Sequence, residues 1–206
     1  SRNPIVYQIV TLYVEVVRGI PTLVLVYYVV LAITPEAVRL LNELGVWMNS
    51  QHVLPSIAQG MAEMRTRDVS NAARAIAGLA ISYSAFLSEV FRAGMESIGT
   101  GQREAGFSLG MTRWQVMRYI ILPQAFRNVL PPLANDFIAM LKESSLVSIV
   151  GVEDITRQGA TFASANFLFF QSYNVVALTY LVLTLSLSMM VKALEGYMDR
   201  SKPEGK

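Results

Sequence analysis

The stretch NVVALTYLVLTLSLSMMVKAL, residues 174–194, decides the fold class. Its single charged residue is Lys192, close to the end. A helix that crosses the hydrocarbon core of a bilayer needs about 20 mostly apolar residues, and this stretch has that length. The alternation of polar and apolar residues that is typical of membrane β-barrels does not occur, so the sequence predicts a spanning helix.

Three further stretches have the length and composition of spanning helices, and they cover residues 13–33, 73–95 and 130–152. The composition of the whole chain agrees, because 53% of its 206 residues are hydrophobic and only 16% are charged. Soluble globular domains carry about 25% charged residues. The sequence therefore predicts a single all-α integral-membrane domain over residues 1–206, built as a helical bundle.

Several classes of function are disfavoured by what the chain lacks. A net charge of +2 provides no strong basic field for nucleic acid. There is no cysteine for a disulfide or a thiolate metal site, and the single histidine, His52, argues against a histidine metal site or a Ser-His-Asp triad. The phosphate-binding pattern G-x-x-x-x-G-K-[ST] is also absent. We therefore expect no metal and no cofactor in this chain.

The distribution of basic residues predicts the topology. Four spans place both termini and the loop 96–129 on one side of the membrane, and this side carries eight Lys and Arg residues against four on the other. The eight are Arg2, Arg103, Arg113, Arg118, Arg127, Arg200, Lys202 and Lys206. The positive-inside rule places this side in the cytoplasm. The segment 35–72 is then outside, where its helical stretches either cover the bundle or contact an external partner.

The third span, residues 130–152, is unusually polar and is predicted to begin at Pro131-Pro132. A charged residue near the centre of a bilayer costs about 2.5–3.5 kcal/mol on insertion scales, so its charged residues must face a bundle interior, a wet cavity or each other. Asp136 and Glu143 are seven residues apart and share one helix face. They either attract a cationic group of a solute or belong to an ion-pair network that orients the helices.

Other polar residues leave the same two interpretations open. Lys142 points about 100° away from Glu143, toward a different neighbour. In the second span, Ser82 and Ser84 offer hydroxyl groups either to a solute or to a neighbouring helix. Glu89 and Arg92 are spaced to form an ion pair on one helix face.

The loop 96–129 has too much helical character for a linker. Residues 103–109, REAGFSL, have helical composition, Gly110 is expected to end that helix, and Thr112 is a candidate N-cap for a second helix that ends at Pro123. Two short helices with a glycine hinge would form a cytoplasmic docking surface. We expect its apolar contacts at Phe107, Leu109 and Met111, and its polar rim at Arg103 and Glu104.

This loop resembles the EAA motif of ABC-importer permeases, in which Glu-Ala-Ala is followed at fixed spacings by Gly, Ile and Leu-Pro. The matching residues are Glu104, Ala105, Gly110, Ile120, Leu122 and Pro123. Gly106 replaces the second alanine, which loosens the helix by up to about 1 kcal/mol without abolishing docking. The segments YVEVVRGIPTLV, SEVFRAGMESI, LPQAFRNVLPPLANDFI and KESSLVSIVGVEDI resemble the polar amino-acid permeases of that superfamily.

The resemblance implies the MetI-like ABC permease fold and a multi-pass location in the bacterial inner membrane. Such permeases usually have five spanning helices that start outside, so the four predicted here imply that the first is missing from this chain. Two permease subunits, identical or different, pair in the bilayer. Each docks a separate cytoplasmic ATPase that binds ATP and Mg²⁺, and an external binding protein delivers the solute.

The resemblance also implies roles for individual residues. The residues expected in the ATPase cleft are Glu104, Ala105, Gly106, Leu109 and Gly110. Those expected along the solute path are Asp136 and Glu143, followed by Asn135, Ser82, Ser84 and Lys142. The two acids favour basic or neutral polar amino acids, whereas Lys142 keeps acidic ones possible. Which amino acid is carried stays open.

Three rival functions are compatible with a polar helical bundle. A small channel or secondary transporter would use the charged third span without ATP, but it leaves the two-helix loop unexplained, and no inverted repeat is visible. A membrane enzyme would need a motif such as H-E-x-x-H or G-x-S-x-G, and neither is present. A purely structural subunit, paired with a permease that carries the solute site alone, stays open.

Overall fold

The computed structural model describes residues 3–199, and all regular secondary structure in that range is helical. Four residues of the topology argument, Arg2, Arg200, Lys202 and Lys206, lie outside the described range. The helices are α1 (Pro4–Gly19), α2 (Thr22–Ser50), α3 (Pro55–Glu63), α4 (Asn71–Glu96), α5 (Thr100–Ser108), α6 (113–143), α7 (Ile155–Asn166) and α8 (Phe169–Asp199). The chain divides into two compact units, residues 3–84 with 146–158 and residues 85–145 with 159–199.

The first predicted span, residues 13–33, contains a helix break. Helix α1 ends at Gly19, and Ile20 adopts an extended conformation because the following Pro21 disfavours a helical residue before it. Helix α2 then runs without interruption from Thr22 to Ser50. Residues 35–50, which belong to the segment 35–72 that we predicted to lie outside the spans, are therefore a continuation of α2.

A π-helical turn lets α2 continue past a proline. The turn covers Val29–Ile33, directly before Thr34-Pro35, and the Thr34 hydroxyl donates to the Val29 carbonyl at 2.7 Å. Local π adjustments and hydroxyl side chains are known ways to satisfy the backbone groups that a proline leaves without a partner. A π turn before a proline recurs in α6, where Val116–Ile121 precedes Pro123.

Helix α3 covers the second half of α2 in the first unit. A side chain at Gly45 would come within 2.6 Å of the Ala58 carbonyl oxygen, so the two backbones are in direct contact. Asn42 donates from Nδ2 to the carbonyl oxygens of Met61 and Met64, both at 2.8 Å. The last carbonyls of a helix lack partners within the helix, and Asn42 supplies donors to them, so it caps the C-terminus of α3.

The first unit has a small core where α2 and α4 meet. The buried residues are Val26, Val30, Ala75 and Val147, with Leu79, Val150 and Val152 packed against them. At Gly78 a Cβ atom would lie 3.0 Å from the Val26 Cα atom, which shows how closely the helices approach. Small residues at such crossings are typical of helices that associate in membranes.

The second unit is organised around α6. Helix α8 packs along α6, and Gly94 of α4 lies so close to Val129 that any Cβ atom there would overlap it. Helix α6 extends from residue 113 to Glu143 and is followed by a 3₁₀ segment, Ser144–Val150. The predicted third span, 130–152, thus begins in mid-helix, and Pro131 and Pro132 lie inside α6 rather than at its start.

Two of the described helices are long and apolar enough to cross a membrane, Thr22–Ser50 and Phe169–Ala193. The first takes the place of the predicted span 13–33, and the second covers most of 174–194. The predicted spans 73–95 and 130–152 fall on α4 and α6, which are long but carry more charged residues. These are Arg74, Glu89, Arg92 and Glu96 in α4, and Arg113, Arg118, Arg127, Asp136, Lys142 and Glu143 in α6.

Candidate coupling surface and solute path

Gly110 ends α5 in the way the sequence predicts. Its φ of +75° is left-handed, the Gly110 N–H donates to the Phe107 carbonyl at 2.9 Å, and the Met111 N–H donates to the Gly106 carbonyl at 3.1 Å. This pair of bonds is a Schellman motif, which satisfies the carbonyls at a helix C-terminus and requires a left-handed residue. The glycine break is confirmed.

The next helix begins at Thr112, also as predicted. The Thr112 hydroxyl accepts from the Gln115 N–H at 3.3 Å, and the Gln115 side chain accepts from the Thr112 N–H at 2.8 Å. This reciprocal pair is a capping box. Pro123 does not end the helix, in contrast to our prediction, since the π turn before it lets α6 continue to Glu143.

Gly106 attaches α5 to α6. It is buried, and a Cβ atom there would lie 2.8 Å from both the Ile120 Cδ1 and the Val116 Cγ2 atoms. Beneath it lies the core of this region: Ile98, Val116, Ile121 and Ala125, with Met95, Met111 and Ile120 packed against them. Glycine at this position therefore allows a closer approach than the alanine usual in the motif.

The opposite side of α5 and the turn after it are exposed. Leu109 is 80% exposed, Trp114 73% and Phe107 47%, and Glu104, Ala105 and Gly110 are exposed beside them. We call these six residues the coupling surface. Exposed apolar side chains next to a carboxylate are typical of a surface that contacts another protein. Trp114 was missed by the sequence analysis, where only its position at the start of the second helix pointed to exposure.

Two residues expected on this surface turn inward instead. Met111 is half-buried and packs against the core beneath α5, because the Schellman turn directs the chain back toward α6. The Arg103 guanidinium donates from Nη2 to the Met95 carbonyl at 3.3 Å, and its Nε atom is buried. Arg103 thus contacts the C-terminal end of α4, where a cation interacts favourably with the helix dipole, and is not part of a polar rim.

Ser82 and Ser84 form hydrogen bonds between helices in the first unit. Ser82 is only 1% exposed, and its hydroxyl lies 3.3 Å from that of Thr22. The Ser84 hydroxyl lies 2.6 Å from that of Tyr13 and donates to the Ile81 carbonyl at 2.7 Å. Of the two predicted uses of these hydroxyls, the structure shows helix-to-helix bonding.

The polar residues of α6 lie along its C-terminal part in the second unit. Asp136 is half-buried, whereas Asn135, Lys142 and Glu143 are exposed. The Asn135 side chain donates to the Pro131 carbonyl at 3.2 Å. Within residues 3–199 the side chains of Asp136 and Lys142 form no ion pair, so neither belongs to an ion-pair network in the part of the chain that the structure describes.

The predicted ion pair in α4 is present. The Arg92 guanidinium lies 2.5 Å from the Glu89 carboxylate and 2.8 Å from that of Glu96. Glu96 was not predicted as a partner, although its spacing of four residues is as favourable as the three residues to Glu89. This charged group lies one turn before α5 begins.

The family model described as "Binding-protein-dependent transport system inner membrane component" matches residues 1–201. A probable amino-acid permease protein of Bacillus subtilis, YxeN, is 37% identical over 203 residues, which cover 97% of this chain and 78% of that protein. The glutamine transport system permease protein GlnP of Escherichia coli is 34% identical over 188 residues, 91% of this chain and 74% of that protein.

One solved structure supports the same assignment at the level of the fold. A chain of the crystal structure of an amino acid ABC transporter with histidines superimposes with a TM-score of 0.69 at 34% sequence identity. The match covers 96% of the present chain and 78% of that chain.

Proposed function

We propose how this chain works, starting from the finding that it belongs to the binding-protein-dependent transport system inner membrane components and is an amino-acid ABC importer permease with the MetI-like fold. In our proposal it forms the translocation path for a polar amino acid together with a second permease subunit. A separate ATPase drives the path, and an external binding protein delivers the solute. The termini and the loop 96–129 face the cytoplasm.

The coupling surface is the observation that supports ATPase docking. Gly106 holds one side of α5 against α6, so the short helix cannot be buried further within its own unit. Its other side presents Phe107, Leu109 and Trp114 to solvent. Leaving such a patch uncovered is unusual for a surface without a binding function. We infer that a cleft of the ATPase covers it, with Glu104 at the edge of the contact.

The chain's own architecture suggests how ATPase movement reaches the membrane. The Schellman turn and the capping box connect α5 to α6 with only residues 109–112 between them. A rigid-body displacement of α5 would therefore be passed to α6, which carries Asn135, Asp136, Lys142 and Glu143. Alternating access by rigid-body motion of packed helices is a common transport mechanism.

For the solute path we propose Asp136 and Glu143 as the principal polar contacts, with Asn135 and Lys142 beside them. Asp136 has no ion-pair partner within residues 3–199, which leaves its carboxylate for a solute ammonium or guanidinium group. We propose basic or neutral polar amino acids as substrates. Glutamine, which the Escherichia coli relative transports by its name, belongs to this class. Ser82 and Ser84 are assigned to the path less directly, because their hydroxyls are used between helices.

Replacing Leu109 by aspartate tests the docking proposal. Leu109 is 80% exposed, so the change costs little folding free energy, while an unpaired charge in a contact with the ATPase would weaken that contact by more than about 1.4 kcal/mol, or tenfold. Co-purification in mild detergent, read by mass spectrometry, should lose the ATPase. Tyr119→Asp is the matched control, since Tyr119 is 67% exposed and lies outside the coupling surface. Equal ATPase recovery with Leu109→Asp and wild type would contradict the proposal.

A further inference from the structure

The second unit contains an open cavity of about 540 Å³ between the C-terminal end of α4 and the middle of α6. It lies outside the coupling surface and does not include the acids of the proposed solute path. Its polar lining comes from Ser97, Arg127 and Asn128, and Pro131 and Pro132 form part of its wall. Cavities of roughly 300–1,000 Å³ with a few polar groups are typical of small-ligand sites.

The two prolines change the chemistry of this cavity. Proline has no N–H, so Pro131 and Pro132 leave the carbonyl groups of Arg127 and Asn128, four residues earlier, without the donor that a helix normally supplies. Both of these residues line the cavity. Acceptors that have lost their helical partner need another donor, and an ammonium group provides three.

The same wall carries a cation. Within residues 3–199, the Arg127 guanidinium makes neither an ion pair nor a hydrogen bond, and its side chain is exposed at the cavity. The Asn128 side chain is fixed, because its Nδ2 donates to the Ser97 hydroxyl at 2.8 Å, and Ser97 donates in turn to the Gly94 carbonyl at 2.8 Å. This bonding leaves the Asn128 Oδ1 atom as a further acceptor.

A ligand that carries one charge alone would fit this lining poorly. A simple anion would meet Arg127 favourably but would be repelled by the carbonyl oxygens, and a simple cation would be repelled by Arg127. We propose that the cavity binds a zwitterionic group, with its anion on Arg127 and its ammonium on the carbonyl oxygens of residues 127 and 128. Two sources share this chemistry, the headgroup of an ethanolamine phospholipid and a free amino acid.

The cavity lies where a bound ligand would affect the junction between α4, α5 and α6. Ser97 is three residues before α5, which carries the coupling surface, so a bound ligand would stabilise the junction of α4, α5 and α6. On the proposed topology this junction is at the cytoplasmic end of the second span, where both lipid headgroups and cytoplasmic amino acids have access. The proposal concerns binding at this cavity and does not require the coupling surface to dock an ATPase.

Two variants test the anion-binding and the ammonium-binding parts of the cavity separately. Arg127→Gln removes the partner of the anion. The double change Pro131→Ala with Pro132→Ala restores both N–H groups, so the two carbonyls regain helical donors while the helix gains propensity. Matched controls are Arg118→Gln and Pro123→Ala, which alter the same residue types in the same helix away from the cavity.

The test uses the full-length protein, with the partners that co-purify in mild detergent. Native mass spectrometry measures binding of dioctanoyl phosphatidylethanolamine and of dioctanoyl phosphatidylglycerol, which has no ammonium group, and equilibrium dialysis measures binding of radiolabelled glutamine. We expect either the ethanolamine lipid or glutamine to bind, and each site variant to weaken that binding at least tenfold with the controls within twofold.

The probe that binds, the ethanolamine lipid or glutamine, identifies the source of the zwitterion. The proposal would be overturned if neither probe binds, if the site variants bind as tightly as the controls, or if phosphatidylglycerol binds as tightly as the ethanolamine lipid and shows the same losses. If no ATPase co-purifies with the wild-type protein while ligand binding is retained, or if Leu109→Asp recovers as much ATPase as wild type, the proposed docking fails and this inference is unaffected.

Discussion

Replacement of Gly110 by valine should disrupt the end of α5 while leaving room for the new side chain. No atom lies within 4 Å of a Cβ atom built at this position, so the change causes no clash within the chain. The cost lies in the backbone, since φ is +75° and a left-handed conformation costs an L-residue about 1–2 kcal/mol, with β-branched residues the least tolerant. The Schellman turn should therefore be populated about 5–30-fold less.

Asparagine at the same position is the matched control. It adds comparable bulk but tolerates the left-handed region, because its short polar side chain forms hydrogen bonds with the local backbone. The gain from restricting the unfolded chain, about 0.4–1 kcal/mol for replacing a glycine, offsets part of its remaining cost. Gly110→Asn should thus keep the turn, whereas Gly110→Val should lose it.

The assay is uptake per ATP hydrolysed in proteoliposomes that contain the assembled transporter, together with its thermal unfolding midpoint. We expect Gly110→Val to hydrolyse ATP with little uptake and Gly110→Asn to resemble wild type. Normal coupling in Gly110→Val would refute the argument that the turn transmits movement. Uncoupling by both variants would show instead that the bulk of any side chain at residue 110 interferes with the partner.

Three further predictions address the packing and the solute path. Gly106→Ala should lower the free energy of unfolding by about 1–3 kcal/mol through overpacking, because its Cβ atom would crowd Val116 and Ile120. Gly101→Ala has open space around it and should be neutral or stabilising. Equal unfolding free energies for the two variants would contradict the close approach of α5 and α6. Ser82→Ala should lower the free energy of unfolding by about 0.6 kcal/mol and by at most about 1.7 kcal/mol, the mean and the maximum for hydrogen bonds between membrane helices. Uptake selectivity should be unchanged, and a changed selectivity would place Ser82 at the solute. Glu143→Gln should lower the uptake of basic amino acids relative to glutamine in competition assays. Glu153→Gln is the control. Unaltered selectivity in Glu143→Gln would favour a structural role for Glu143.

The features that sequence predicted best are those fixed by local hydrogen bonds. Gly110 and Thr112 were assigned correctly because a Schellman turn and a capping box involve residues no more than five positions apart. The rule that a helix stops at proline failed at Pro123, and the expectation that Pro131-Pro132 begin the third span failed as well, because both lie inside α6. That rule considers the lost N–H alone, whereas a π turn before Pro123 and the packing of α6 against α4 and α8 hold the helix together.

The orientation of the site residues was harder to predict, since it depends on tertiary contacts. The pattern of the loop predicted Met111 and Arg103 as surface residues. The Schellman turn instead directs Met111 toward the core, and the Arg103 guanidinium donates to the Met95 carbonyl at the end of α4. Gly106 itself was interpreted as a weakened alanine. Its contacts with Val116 and Ile120 show a packing role that only the neighbouring helix reveals.

The continuity of α6 connects the two ends of the second unit. At about 1.5 Å per residue the helix from residue 113 to 143 is about 46 Å long, which exceeds the thickness of a bilayer core of about 30 Å. The coupling surface lies at its first turn and the polar residues Asp136 to Glu143 at its last turns. Pro131 and Pro132 interrupt the hydrogen-bond ladder between them, next to the proposed zwitterion cavity. A ligand that occupied the cavity would supply donors to the interrupted carbonyls and stiffen α6, so it should strengthen the link between ATP hydrolysis and uptake rather than change which solute is carried.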